Sequence, residues 1–164
     1  AQGVPMTAAA TPADLVITPR DLRFGREEKR ARWWLNGDAF ATAWHNSLSL
    51  TFPQGEAFFI ETVRRFRDDV PAALKPQIEA FIKQEVFHSR EHLAFNRQVA
   101  DAGYDTKRMD EWVRDQLAET RKQHPVAQLS VTIALEHFTA IFAHLMLKRP
   151  EIFGQTTPEA RAMW

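Results

Sequence analysis

Prolines and glycines divide this 164-residue chain into long segments in which apolar residues recur at the three- and four-residue intervals of a helix face. The apolar content comes from 12 Phe, 5 Trp and many Ala and Leu, whereas alternating Val and Thr runs of the kind that form strands are few. We therefore predict an all-α fold in which helices pack on helices.

The same breakers set the expected helix ends. Asp38 is a candidate N-cap for the first core helix, and Pro53 with Gly55 is expected to open the second. Gly103 follows the third helix, at a position where a left-handed residue is favoured. The five expected helices cover residues 38–49, 52–69, 71–102, 106–122 and 125–148.

A further helix begins close to the end of the chain. Thr157, Pro158 and Glu159 match the preferences of the N-cap, the first position and the first turn, but the chain ends seven residues after Thr157. We therefore expect residues 19–164 to form a single helical domain whose last core helix is truncated. Residues 1–18 are expected to be a flexible tail, of which 1–5 are a remnant foreign to the domain.

Composition and charge exclude several classes of function. The chain has 21 Lys and Arg against 21 Asp and Glu, so it has no general attraction for nucleic acid or for an anionic membrane. It contains no cysteine, which removes disulfides, thiolate metal sites and cysteine nucleophiles and suits the cytoplasm. Charged residues or histidines interrupt each long apolar run, so we expect no membrane span.

The basic stretch GREEKRARWW, residues 25–34, contains the two ingredients of a single-strand nucleic-acid site, positive charge and aromatic rings. It also contains two Glu and belongs to a chain without net charge. We expect it to lie as a solvated strap that docks its two tryptophans on the bundle.

The segment FIKQEVFHSREHLAF has the strongest local signal for chemistry. At about 100° per residue, Glu85, His88 and His92 fall on the same stripe of the third helix as Phe81 and Phe95, which predicts that the stripe faces the core. A carboxylate and two imidazoles on a buried face are costly unless they are paired or bind a cation. Glu-x-x-His is also the spacing with which one helix supplies two ligands to a metal, although it occurs on solvated helix faces as well.

Two further carboxylates are expected to point at the same core. Glu56 shares a stripe with apolar residues of the second helix, and Glu136 does so on the fifth, where alanines leave room beside it. The order Glu, then Glu-x-x-His, then Glu reproduces three of the four contributions to a ferritin-like dinuclear carboxylate site. We expect the fourth, a second Glu-x-x-His, on the helix that begins at Thr157.

Three blocks of the sequence resemble the bacterial family called predicted metal-dependent hydrolases. They are WHNSLSLTFPQGEAFFIETVRRFRDDV, QEVFHSREHLAFN and ALEHFTAIFA, and the similarity runs from about Ile17 to Trp164. Members of that family typically continue into a further helix with a second metal motif, which this chain lacks. The resemblance implies a ferritin-like helical bundle and a metal-dependent hydrolase.

The resemblance also implies a set of site residues. The implied metal ligands are Glu56, Glu85, His88 and Glu136. They would hold two divalent ions in the full-length form, and carboxylate-rich ligation favours iron, with manganese or zinc as alternatives. His92 and His45 are the candidate proton carriers in catalysis. His92 is also a candidate ligand, and the alternative for His45 is a capped structural histidine. Glu91, on another face, is expected to hold the distal nitrogen of a histidine.

Three functions stay open. A hydrolase would act on a small molecule of unknown identity, an O₂-activating di-iron oxidase or oxygenase would need an apolar tunnel, and a non-catalytic interaction protein would pair its buried Glu with Arg or His. The residues that are candidates to line such a tunnel are Phe52, Phe58, Phe59, Phe81, Phe87, Phe138 and Phe142. We also expect a homodimer that buries the surface beside the truncated helix.

Overall fold

The computed structural model describes residues 16–27 and 29–164. This part of the chain contains five α-helices and no β-strand, so the predicted all-α bundle is confirmed. The helices are α1 Ala39–Arg65, α2 Lys75–Asp101, α3 Lys107–Arg121, α4 Pro125–Lys148 and α5 Pro158–Met163. Short 3₁₀ turns at Ala72–Leu74 and Pro150–Phe153 precede α2 and follow α4. The tail predicted over residues 1–18 lies almost entirely outside the described residues.

Several helix ends lie where the sequence predicted them. Asp38 caps α1, because its side chain accepts hydrogen bonds from the N–H groups of Phe40 and Ala41. Gly103 follows α2 with φ +86°, a conformation that residues with a Cβ rarely adopt. At the start of α5, the side chain of Thr157 accepts from the backbone N–H three residues later.

The prediction that Pro53 separates two helices is wrong. α1 runs through Pro53, so that residues 39–65 form one helix. A proline inside a helix lacks the N–H that would bond to the carbonyl four residues earlier, which here belongs to Ser49. Asn96 of α2 compensates, because its Nδ2 donates to the Ser49 carbonyl oxygen at 3.2 Å. The neighbouring helix therefore supplies the donor that the proline lacks.

The helices pack around two apolar clusters, with α1 and α2 as the central pair and with α3 and α4 against α1. One cluster joins the C-terminal half of α1 to α3 and consists of Phe58, Phe59, Val113 and Leu117. The other joins the C-terminal half of α2 to the segments before α1 and after α4, and its buried members are Trp34, Leu35, Phe95, Val99, Met146, Phe153 and Ala160. Along α1 and α2 the candidate site residues lie between these clusters.

The segment before α1 lies along α2 and is anchored there by Glu91. This buried carboxylate accepts from the N–H of Phe24 at 3.0 Å and from Arg26 Nη2 at 2.5 Å. Burial opposes its ionisation, but hydrogen bonds from Arg90 and Phe24 and the charge of Arg26 hold the pKa of Glu91 below its usual value. The prediction that Glu91 holds a histidine nitrogen is therefore wrong, because these groups occupy it.

Only one of the two tryptophans in the strap docks on the bundle. Trp34 is buried, packs edge-on against Phe95 and donates its indole N–H to Asn46 Oδ1 at 2.8 Å. Trp33 is 53% exposed. The predicted docking of the pair is thus correct for Trp34 alone.

Helix α4 is more apolar than the sequence analysis anticipated. An 18-residue window within Pro125–Lys148 has a mean hydropathy of 1.4, and 11% of that window is buried. By length and composition α4 could therefore cross a membrane. Core helices of soluble proteins pass the same test but are mostly buried, which α4 is not. A single helix of this kind is weak evidence for a span.

The role of Asn96 can be tested by a double-mutant cycle. We expect Asn96→Leu to lower the free energy of unfolding by about 1–3 kcal/mol, because the buried carbonyl of Ser49 loses its donor. In a Pro53→Ala background the restored N–H can bond to that carbonyl, so the same substitution should cost less. Urea denaturation of the four proteins measures the coupling. An equal cost in both backgrounds would contradict this account of the proline.

Candidate metal centre

Helices α1 and α2 bring three of the predicted residues together. Glu56 on α1 and His88 and His92 on α2 each have one potential ligand atom within 4.8 Å of the others. The four-residue spacing of the two histidines places both rings on the side of α2 that faces α1. In residues 16–27 and 29–164 this is the one group of three or more histidines and carboxylates that meets this distance.

Glu56 is the most deeply buried charge of this cluster. Its side chain is 1% exposed, and His88 Nδ1 lies 2.7 Å from Oε1, within ion-pair distance. The ring N–H of His88 is not directed at that oxygen, however, and neither oxygen of Glu56 accepts a hydrogen bond from any described residue. A buried carboxylate without hydrogen bonds is costly. Apart from the ion pair with His88, nothing among the described residues compensates these two oxygens, so they suit a bound cation.

A chain of hydrogen bonds fixes the proton of His92. Asn96 is oriented by the bond from its Nδ2 to the Ser49 carbonyl, so its Oδ1 accepts from Ser49 Oγ, at 2.6 Å. Ser49 Oγ has given away its proton in that bond and can only accept from His92 Nδ1, 2.8 Å away. His92 Nδ1 is therefore the protonated nitrogen of the ring.

The other nitrogen of His92 is then available as a ligand. Burial, together with the charge of His88, lowers the pKa of His92 well below its usual value, so the ring is neutral near pH 7. A neutral ring protonated at Nδ1 carries its lone pair at Nε2, and in the cation-free protein this lone pair accepts a hydrogen bond from Nε2 of His88 at 3.1 Å, which a bound cation would replace. Histidines that bind a metal usually donate the N–H of their other ring nitrogen to a fixed acceptor, as Nδ1 of His92 does to Ser49.

Glu85 and Glu136 lie next to this group without joining it at ligand distance. Both line a cavity of about 460 Å³ together with His88 and His92. Burial and the negative charges of Glu136 and Glu56 raise the pKa of Glu85 to about 8. Burial also raises the pKa of Glu136, against the attraction of His88. Burial is the largest cause of both shifts, and the negative charge of Glu56 adds to each of them.

His88 is the positively charged partner of these carboxylates. Burial lowers its pKa, but the contact with Glu56 and the charges of Glu85 and Glu136 outweigh this and raise it above the usual value. One imidazolium cannot balance three carboxylates once all of them ionise. A divalent cation at the cluster would supply the missing charge.

The structure does not bring His45 to the cavity. Its Nδ1 donates to the Ala41 carbonyl at 2.8 Å, and its buried Nε2 accepts no hydrogen bond within the described part of the chain. The ring packs edge-on against Trp164, with centroids 4.9 Å apart. Of the two histidines predicted to be proton carriers, His92 lines the cavity and His45 does not.

The aromatic residues predicted to line a tunnel are dispersed. Phe52 and Phe142 line the cavity, whereas Phe58 and Phe59 belong to the cluster against α3. Phe138 is 68% exposed. The cavity wall is therefore only partly formed by the phenylalanines that the sequence singled out.

Ser49 and Asn96 are the site residues that the sequence analysis missed. Asn96 follows His92 by four residues and so extends the stripe of Glu85, His88 and His92 by one turn. Ser49 precedes Pro53 by four residues, which is the position whose carbonyl a proline leaves free. Both signals were present in the sequence, but the second is informative only if α1 is continuous.

A comparison with protein families gives the same indication as the site. The family model described as "predicted metal-dependent hydrolase" matches residues 18–164. The chain belongs to this family. The match includes the Glu56, His88 and His92 cluster, and it confirms the family resemblance found in the sequence. No significant match was found among curated proteins or among solved structures.

The raised pKa of Glu85 predicts how the stability of the cation-free protein depends on pH. The carboxyl ionises near pH 4.5 when unfolded but keeps its proton up to about pH 8 when folded. Between these values the folded state binds more protons, so the free energy of unfolding falls as pH rises and levels off above about pH 8. His88 acts in the same direction. His92 acts in the opposite one, but only below about pH 6.5.

Thermal unfolding of chelator-treated protein between about pH 6.5 and 8.5 measures the combined effect of Glu85, Glu136 and His88, and a Glu85 variant separates the contribution of Glu85. One pKa unit corresponds to about 1.4 kcal/mol, so the midpoint should fall by several degrees across the range. Glu85→Gln cannot ionise and should flatten the profile, whereas the surface variant Glu61→Gln should not. A profile that Glu85→Gln leaves unchanged would refute the assignment.

Ser49→Ala tests the hydrogen bond that holds His92. Partners of this kind typically contribute 10- to 100-fold to metal affinity, so we expect the affinity for added Zn²⁺ or Mn²⁺ to fall at least about 10-fold. Titration calorimetry measures it, with Ser130→Ala as the control, since within the described part of the chain that exposed hydroxyl bonds to the Val126 carbonyl alone. Equal affinities in the two variants would show that Ser49 has no such role.

Proposed function

We propose that this chain is a hydrolase that acts on a small molecule at a metal centre held by Glu56, His88 and His92. The observation that supports this most strongly is the Glu56 carboxylate, which is buried against two imidazoles and has no hydrogen-bond donor among the described residues. Oxygen and nitrogen ligands of this kind suit iron, manganese or zinc.

We further propose a dinuclear centre, with iron as the metal. Glu85 and Glu136 line the same cavity as the two histidines and add carboxylate oxygens beyond those that a single ion needs. This is the ligand chemistry of ferritin-like carboxylate proteins. When bound, such ions supply Lewis acidity and a water that ionises near neutral pH.

The residues of the chain itself have three tasks in this proposal. Ser49 and Asn96 hold His92 with its lone pair toward the cluster. Glu85 keeps a proton near neutral pH in the cation-free protein, and it must release that proton when it becomes a ligand, so cation binding should release protons. Phe52 and Phe142 line the cavity and make part of its wall apolar.

The oxygen-activating alternative is supported by the apolar part of the cavity wall. Phe52, Phe142 and Met146 adjoin the carboxylates there, as an oxidase or oxygenase would require. Oxygen uptake by the iron-loaded protein distinguishes this function from hydrolysis, because a hydrolase does not consume O₂.

The ion pairs fit the non-catalytic alternative at Glu56 alone. This alternative predicts that an Arg or a His pairs with each buried carboxylate. Within the described residues, no Arg or His forms an ion pair with Glu85 or Glu136, and the glutamates that pair with arginines are Glu61, Glu79, Glu91 and Glu151. The partner of Glu56 is His88, whose ring nitrogens are themselves potential metal ligands.

Glu56→Gln tests the proposal with a matched control on the same helix. Glutamine keeps the shape but removes the charge, so we expect metal content by elemental analysis to fall at least 10-fold and metal-dependent cleavage of ester, amide and phosphoester test substrates to disappear. Glu61→Gln, which alters a surface pair with Arg65 and Arg121, should keep both.

Each outcome of this comparison is decisive. Wild-type protein that binds iron, manganese or zinc, and a Glu56→Gln variant that does not, support the centre. Retention of metal by Glu56→Gln, or absence of binding by the wild type at micromolar metal, contradicts it. Metal binding with oxygen uptake and no hydrolysis would replace the hydrolase with the oxidase or oxygenase.

A further inference from the structure

Helix α4 has an exposed apolar stripe on the side that faces away from the cavity. Its residues recur at alternating intervals of four and three, the spacing with which two helices pack along a common seam. We call this stripe the α4 seam, and it consists of Ala127, Val131, Ala134, Phe138, Ile141 and Leu145. All six are exposed, and Phe138 is exposed to 68%.

The seam is separate from the metal centre. At about 100° per residue, Glu136, Thr139 and Ala143, which line the cavity, lie on the opposite side of α4. Phe142, which also lines the cavity, borders the seam. The seam is also nearly free of charge, because Glu136 and Lys148 are the only Asp, Glu, Lys or Arg in Pro125–Lys148. A solvent-facing helix surface normally carries such residues, so this one is suited to a partner.

The order of large and small residues along the α4 seam favours a second copy of this chain as the partner. When two copies of the seam run antiparallel about its midpoint, Ala127 meets Leu145, Val131 meets Ile141 and Ala134 meets Phe138. Every contact then places a smaller residue against an equal or larger one, which fills space without overlap. In a parallel pair Phe138 would meet Phe138 and Ala134 would meet Ala134, leaving one layer crowded and another empty.

The available area is sufficient for such a pair. A helix of 24 residues is about 36 Å long and, with a diameter of about 10–12 Å, offers roughly 600 Å² on its outward half. Two copies would bury about 1,200 Å² in total, the lower limit for specific stable interfaces. A twofold dimer uses the same patch twice, so no second surface is needed.

We propose that this chain forms a twofold dimer in which the α4 seams of two copies pack antiparallel. The interface differs from the surface beside α5 at which the sequence analysis expected a dimer. This interface leaves the cavity open, so the proposed dimer does not depend on the proposed metal centre.

Sedimentation of the whole chain tests the dimer. We expect a dimer at tens of micromolar, and Ile141→Glu should weaken it at least about 30-fold, as the loss of a central apolar contact does. Leu93→Glu is the matched control, because Leu93 is similarly exposed, at 48% against 45%, but lies on α2. Circular dichroism confirms that both variants stay folded. A wild-type monomer, or equal effects of the two variants, would overturn the proposal.

Single cysteines test the antiparallel register, since the chain has none of its own. Across the twofold axis, two copies of residue 134 are offset by about 6 Å along the helix, and two copies of residue 127 by about 27 Å. A short bis-maleimide should therefore join Ala134→Cys to itself but join Ala127→Cys only to Leu145→Cys. Self-linkage of Ala127→Cys as fast as that of Ala134→Cys would overturn the register.

The other possible occupant of the seam is a lipid bilayer, since α4 is long and apolar enough to enter one. Flotation with phosphatidylcholine vesicles distinguishes the two. Protein that stays unbound and dimeric supports the proposal. Protein that floats with vesicles, and loses this in Ile141→Glu but not in Leu93→Glu, overturns it in favour of a lipid partner.

Discussion

The carboxylate of Glu56 imposes the constraint to which the rest of the site responds. It is buried between α1 and α2, has two oxygens without a donor among the described residues, and lies 2.7 Å from His88. Around it, Glu85 and Glu136 hold their protons more tightly than free carboxyls do, while His88 gains positive charge. These shifts are what a buried acidic cluster shows when its counter-charge is too small. A divalent cation bound at Glu56 would supply positive charge to the whole cluster at once.

The site is coupled to an irregularity of the backbone. Pro53 leaves the Ser49 carbonyl without its helical donor, and Asn96 fills that role from α2. The same asparagine orients the Ser49 hydroxyl, which in turn holds the Nδ1 proton of His92. A residue that normally breaks helices thus links the α1–α2 contact to the proton position on a candidate ligand. Replacement of either Ser49 or Asn96 should therefore lower both the free energy of unfolding and the affinity for metal.

Much of the fold could be predicted from the sequence, because caps and breakers act locally. Asp38, Gly103 and Thr157 mark helix ends in the structure as they do in the sequence. Pro53 could not be interpreted in this way, since its effect depends on a side chain 43 residues later. Glu91 shows the same limit. Its position on α2 gave no indication that Arg26 and the N–H of Phe24 would donate hydrogen bonds to its carboxylate.

The candidate site was predictable to the extent that helical periodicity determines it. The spacing of Glu85, His88 and His92 placed them on one stripe, and their common cavity agrees with this. The prediction that the stripe is buried is wrong for His88, whose side chain is 46% exposed. Distances between helices are not encoded in periodicity. The structure therefore had to show that His92 lies at ligand distance from Glu56 and His88 while Glu85 and Glu136 stand further off. It also had to show that His45 turns to the Ala41 carbonyl instead.

The position of a bound ion tests the central claim most directly. Anomalous diffraction from crystals of the iron- or manganese-loaded protein locates the metal without reference to activity. We predict a peak about 2.0–2.2 Å from a Glu56 oxygen and from Nε2 of His92. A loaded crystal in which the metal lies elsewhere, with Glu56 still bonded to no cation, would contradict the account.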